Sequence, residues 1–202
     1  MIRLTSLDGW REATFDGPEM VYRYHLGQRL TEANRRSLLV IGLNPSTATH
    51  LATDPTISRL EKLARAMDFD RLDMTNLDPF RSTDPKSLVR APPNNPLHRH
   101  DPSTVATPRS VFELNLTVIR WLAARAELVL CAWGGPYSPV TLGDLVARRA
   151  ALVSAALQGD GVKLTCLATT KNGHPRHPLY LSGGLRPVPW EQQKPVRPGV
   201  KS

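Results

Sequence analysis

Residues 38–43 read Leu38-Leu39-Val40-Ile41-Gly42-Leu43 and run directly into Asn44-Pro45-Ser46-Thr47. An apolar run this short and this rich in branched side chains suits a strand covered on both faces, as in a parallel sheet. Further segments of the same kind follow at Leu72–Leu77 (LDMTNL), Leu128–Trp133 (LVLCAW) and Val162–Ala168 (VKLTCLA). Helical spacing fills the intervals between them. Ile57, Leu60, Leu63 and Met67 share a face after Asp54-Pro55. Val111, Leu114, Val118 and Leu122 do so before the third segment; Leu142, Leu145, Leu152 and Val153 do so before the fourth, with Gly159 as a stop. This alternation of strand and helix predicts a wound α/β sheet.

Outward from this frame, Val21–Leu26 (VYRYHL) alternates and reads as an extra antiparallel strand. Arg90–Pro108 is a basic, proline-rich loop, long enough to be functional or mobile. Residues 191–202 read as a basic disordered tail, which leaves residues 1–190 as one domain. A chain of 202 residues is long enough to bury a core. Its formal charge of +8 favours polyanionic partners, nucleic acid before anionic membrane. Cys131 and Cys166 are too few for a four-thiolate cluster or a disulfide scaffold, and read as core residues. No stretch approaches a membrane span, and MIRLTSLDGW has no apolar signal core, so the expectation is a soluble cytoplasmic protein.

In open parallel sheets, ligands bind beyond the carboxyl ends of the strands. All four apolar segments run into polar or small-residue loops at that end. These are Gly42–Thr47, Asn76–Arg81, Trp133–Tyr137 and Lys171–Leu179. Four such loops on one rim make a candidate site.

The loop set GLNPST, LDMTNL, LCAWG and GHPRHPL, in that order over about residues 37–182, resembles the uracil-DNA glycosylase superfamily. That superfamily has a GQDPYH or GINPG first motif, a base-reading Asn after the second strand, a third strand ending in WG, and a final His-Pro-Ser-Pro loop. The chain is similar, more closely still, to a bacterial family with NPSTA, DPTI, NL-x-x-F-R-x-T and GHP-x-HPL motifs. The resemblance implies a three-layer α/β/α fold with a central four-stranded parallel sheet, and water as the nucleophile. It implies no metal and no organic cofactor.

By the same resemblance, Asn44 falls where the superfamily positions water; an amide orients water but takes no proton. The alternative is that Asn44 only satisfies loop backbone groups. Asn76 matches the base-reading Asn, against a strand-closing turn residue, and Leu43, Ser46 and Thr47 would contact the base beside it. Either His174 or His177 matches the His that donates to the base oxygen as charge develops. His174 fits better in that Pro175-Arg176 follow it. Lys171 and Arg176 flank the loop as phosphate ligands. Leu179 and Tyr180, with Leu181, lie where the superfamily inserts an apolar wedge, against a reading as ordinary core. If one carboxylate assists the chemistry, either Asp54 or Asp78 could be it. Asp54-Pro55 is explained by a helix start, with Asp at the N-cap and Pro at the first helical position. Trp133-Gly134 reads as strand-end packing.

The function expected is a monofunctional DNA N-glycosylase acting on a flipped base, because the glycosidic bond is inaccessible within the duplex. Ser46 stands where strict uracil enzymes carry a Tyr that blocks pyrimidine C5. A C5-modified pyrimidine, such as hydroxymethylated or glycosylated cytosine, is therefore expected, with a role against phage carrying modified DNA. DNA is the partner, with no membrane and no obligate protein partner. The alternatives are an enzyme acting on free modified nucleotides and a non-catalytic nucleic-acid-binding module.

Overall fold

The apolar run at residues 38–43 supplies β4 (Ser37–Gly42), whose side chains go alternately to two cores. Leu38 and Val40 join one cluster, while Leu39 and Ile41 join the other. Both faces are covered, which is why the run is continuous rather than alternating. The computed structural model describes residues 3–7, 10–16, 19–46, 54–89 and 109–192. Before β4 come β1 (Arg3–Leu7), β2 (Arg11–Phe15) and β3 (Arg23–Arg29). After it come α1 (Pro55–Arg65), β5 (Arg71–Asn76), α2 (Arg109–Ala123), β6 (Leu128–Cys131), α3 (Val140–Gly159), β7 (Leu164–Cys166) and β8 (Val188–Pro189). Short 3₁₀ turns occupy Pro85–Val89 and Pro178–Tyr180.

The expected central four-stranded parallel sheet is overturned. The sheet has eight strands in the order β1-β2-β3-β5-β4-β6-β7-β8 and is mixed. The four apolar segments do form the parallel neighbours β5, β4, β6 and β7. On one side, however, β3 pairs antiparallel with β5, from Leu26↔Met74 to Arg29↔Arg71, and β2 and β1 follow antiparallel. On the other side β8 pairs antiparallel with β7. The physical reason is the edge: a buried strand left at a sheet margin exposes unpaired N–H and C=O groups. The alternating VYRYHL segment does become an antiparallel strand, shifted to begin at Arg23. Alternation in β2 buries Ala13 and Phe15, over a length too short to stand out in the sequence.

The helices lie in the expected intervals, but α2 buries Phe112, Asn115, Ile119 and Leu122, leaving Val111, Leu114 and Val118 of the expected row only partly buried. Ile57, Leu60 and Ala64 of α1 pack on one face of the sheet. Phe112, Ile119 and Leu122 of α2 pack on the other face, with Leu142, Leu145 and Val153 of α3. Leu152 departs from the expected face and is 54% exposed, because the buried row of α3 runs through Ala150, Val153 and Leu157. Asp54 caps α1, its Oδ1 accepting the Ile57 N–H at 2.8 Å, and Pro55 opens the helix. Cys131 and Cys166 are free and buried. Among the described residues no helix is long and apolar enough to cross a membrane. Segment 90–108, singled out in the sequence, and all of the 191–202 tail beyond residue 192 lie outside the described residues.

Candidate functional site

The chain enters the parallel part of the sheet at β4, moves out to β5, and returns past β4 to β6 and β7. The strand order reverses between β4 and β6, and an α/β sheet opens a crevice at such a reversal. A cleft of about 480 Å³ lies there, in the size range of small-molecule sites. Leu43, Asn44 and Ser46 after β4, Asn76 at the end of β5, and Gly134, Gly135 and Tyr137 after β6 all line it. Arg176, His177 and Tyr180 after β7 complete that rim, and Arg23 and Asp54 enter from β3 and the start of α1.

Asn76 is only 1% exposed, yet among the described residues neither end of its carboxamide, Oδ1 or Nδ2, has a hydrogen-bond partner. Its backbone is fixed by pairing with Gly42 and by Asn115 Nδ2, which donates to the Asn76 carbonyl at 2.9 Å. Gly42 makes room for the amide: a Cβ there would stand 2.7 Å from Asn76 Oδ1. Buried polar groups are ordinarily bonded, so this carboxamide is a donor–acceptor pair without a partner among the described residues, on a residue that lines the cleft.

Asn44 is held differently. Its Nδ2 donates to the carbonyls of Ser82 at 2.8 Å and Pro45 at 3.2 Å, bracing the first loop against the second. The backbone continues the brace, with Asp78 N–H on Leu43 O at 2.9 Å and Ser82 N–H on Pro45 O at 2.8 Å. The loop-satisfying alternative for Asn44 thus describes its amide nitrogen. Asp78 is buried and does not line the cleft. Its Oδ1 accepts the Phe80 N–H at 2.9 Å, and Oδ2 stands 4.0 Å from the Arg149 guanidinium. Ser46 donates its hydroxyl to Asp54 Oδ2. Thr47 lies outside the described residues.

The last loop closes on itself. Thr169 bridges Pro175, Thr170 N–H donates to His174 O at 2.8 Å, and His174 N–H donates to Thr170 Oγ1 at 3.2 Å. The His174 ring packs on Gly135, whose φ of +128° and missing Cβ permit the approach. Trp133 packs edge-on against Trp190 at 5.2 Å, and Trp190 Nε1 donates to Gly173 O at 3.0 Å. Gly134 N–H donates to Pro175 O at 2.9 Å, joining the WG loop to the final one. Arg59 of α1 clasps the next segment by donating to Pro178 O at 2.9 Å and to Leu181 O.

Of the two histidines, His177 lines the cleft and His174 does not. His177 Nδ1 accepts the Leu179 N–H at 3.3 Å, so the neutral ring carries its proton on Nε2. Burial pushes the His177 pKa down, partly opposed by the Asp54 charge, which keeps the ring a neutral donor at pH 7. Tyr180 is 75% exposed, with its ring 5.6 Å from that of His177. Arg176 is an exposed cleft residue; Lys171 is exposed outside it. Leu179 lines a separate apolar hollow between α1 and residues 182–186, and Leu181 is buried core.

Arg23 and Tyr137 were not singled out in the sequence. Burial, with Arg81 nearby, pushes the Arg23 pKa down to about 10 against the opposing charge of Asp54, so it stays cationic. Its signal was a charge inside the alternating VYRYHL run. Tyr137 donates to Trp133 O, and burial pushes its phenol up to about 12. A second titratable group lies on β2, β3 and β5, where ligand atoms of Glu12, His25 and Asp73 fall within 4.8 Å of one another. Arg71 supplies the positive charge there, donating to Asp73 at 2.9 Å and to Glu12 over Gly27, where a Cβ would block it. Burial works to raise the Asp73 carboxyl, but His25 at 2.7 Å and Arg71 outweigh it and hold its pKa low.

Residues 23–179 match the model of a family described as "Protein of unknown function (DUF1643)". No curated protein and no solved structure matches the chain. The matched span takes in every described cleft residue but Tyr180 and more than half of the sequence, and the chain therefore belongs to the DUF1643 family.

Proposed function

We propose that this protein hydrolyses the N-glycosidic bond of a base extruded from DNA into the cleft. The observation that carries the reading is the buried carboxamide of Asn76, a cleft residue, which has no partner among the described residues. An amide offers both a donor and an acceptor, the complement of a pyrimidine's carbonyl, N3 and exocyclic edge. A ligand without such an edge would leave both atoms desolvated and unpaired. His177 supports the chemistry: a neutral Nε2–H donor stabilises negative charge as it develops on the departing base. The exposed ring of Tyr180 on the rim offers a stacking surface, and Arg176 with the net charge of +8 favours a phosphate backbone.

Ser46 points the substrate toward a C5-modified pyrimidine. Its small side chain leaves the space that an aromatic ring would fill. Its hydroxyl proton is committed to Asp54, so toward the cleft the oxygen serves as an acceptor. A hydroxymethyl or sugar hydroxyl at C5 provides the matching donor, and action against phage DNA carrying such bases follows.

The test is mass spectrometry of bases released from duplexes containing uracil, unmodified cytosine, 5-hydroxymethylcytosine or its glycosylated form. Release from the C5-modified duplexes, lost in Asn76→Ala and reduced in His177→Gln, is the expected result. Hydrolysis of the free nucleotides alone would establish the nucleotide enzyme instead. Tight DNA binding with no base released from any duplex would establish the binding module.

A further inference from the structure

Among the described residues lining the cleft, Asp54 is the single carboxylate. Its helix-capping role accounts for one oxygen: Oδ1 holds the Ile57 N–H at 2.8 Å. Oδ2 is not needed for the cap and accepts the Ser46 hydroxyl instead. An ionised carboxylate has about four acceptor positions, so the cap and the serine leave room for a water. The rival groups are otherwise engaged. Asp78 is buried off the cleft, on Phe80 N–H and facing Arg149. The Asn44 amide nitrogen is tied to backbone carbonyls, and its amide oxygen can orient water but takes no proton from it.

Resting on the glycosylase reading, we propose that Asp54 is the catalytic carboxylate of the site, with Ser46 as its positioning residue. Asp54 orients the attacking water and accepts its proton. Its negative charge also offsets the positive charge that grows on the sugar. In the step itself, the water oxygen bonds to C1′ and the C1′–N bond breaks, its electron pair moving onto the base. One water proton passes to the Asp54 carboxylate, which gives it up to solvent, and solvent in turn supplies a proton to the released base anion. No other reactant is needed. The Ser46 hydroxyl fixes the carboxylate rotamer, so that one small loop residue shapes both the C5 recess and the orientation of the base.

Asp54→Asn separates this role from capping, because Asn caps helices as well as Asp does. Asp54→Ser, also a good cap, provides a second variant. The probes are single-turnover base release and the affinity for duplexes carrying an abasic-site analogue. One analogue is a cationic pyrrolidine, the other an uncharged tetrahydrofuran. Expected are an unchanged melting temperature and a fall of about 10²–10⁴-fold in release rate. The wild type's preference for the cationic analogue should disappear in both variants, and Ser46→Ala should show a smaller loss. Release by Asp54→Asn within about threefold of wild type, far short of general-base losses, overturns the assignment while leaving the glycosylase reading standing. A wild type that releases no base and shows no preference for the cationic analogue overturns both.

Discussion

Asn76→Leu should make the free protein more stable while destroying the site. Leucine has nearly the same branched shape as asparagine, and its methyl groups would stand where Oδ1 and Nδ2 stand. The backbone of residue 76 keeps its pairing with Gly42 and its bond from Asn115, because neither uses the side chain. The substitution removes two buried polar atoms that have no partner in the described structure. An unsatisfied buried group costs about 1–3 kcal/mol, and part of that cost is recovered when an apolar group of similar shape replaces it. Taking about 1–3 kcal/mol for the pair, and about 2–4 °C per kcal/mol at this chain length, the melting temperature should rise by about 2–12 °C. Thermal unfolding by circular dichroism measures this, with urea midpoints at unchanged m-value as the check on a two-state comparison. Base release should be lost in the same variant. A melting temperature lowered by more than about 2 °C would refute the reasoning, since it would mean that the carboxamide is already satisfied without a ligand.

Gly42→Ala places a Cβ 2.7 Å from Asn76 Oδ1 and 3.0 Å from Met74 Cε, so the carboxamide must move. Activity should be lost at a stability cost of about 1–3 kcal/mol, and wild-type turnover by this variant would show that Oδ1 needs no fixed position. The His177 ring should titrate below its ordinary 6.5 when followed by NMR, because burial disfavours the imidazolium. Its folded value lies below its unfolded one, so its contribution to stability is present above pH 6.5 and is lost as pH falls through the folded value. Asp54→Asn should lower that value further, since the Asp54 charge opposes the burial effect; an upward shift contradicts the pairing. Arg176→Ala should weaken DNA binding across all sequences and reduce the slope of log affinity against log salt by about 1, and an unchanged slope would remove Arg176 from the phosphate contacts.

Several elements were legible because local chemistry decides them. Short continuous apolar runs mark strands covered on both faces, and β4 to β7 appeared where those runs lie. Asp54-Pro55 marks a helix start because the cap uses atoms within one turn. The strand-end rule placed the cleft, because parallel strands bring their carboxyl ends to one edge. The full sheet was not legible. Strands β1, β2 and β8 are short, and what selects them is the open margins of β2, β3 and β7, a property of the assembled sheet.

The site divides along the same line. Sequence alone determined that asparagines, a serine, an aspartate and histidines stand at strand ends, because residue type and strand periodicity are local quantities. Only the tertiary structure decided which of them are available. The final loop turns back on Thr170 and is clasped by Arg59 from α1, which puts His177 rather than His174 on the cleft. Asn44 and Asn76 are chemically the same residue type. Ser82 and Pro45 carbonyls occupy the amide nitrogen of one, while the missing Cβ of Gly42 makes room for the other, which is buried and has no partner among the described residues. Hydrogen-bond satisfaction and burial depend on groups brought in from distant parts of the chain, and no pattern in neighbouring residues encodes them.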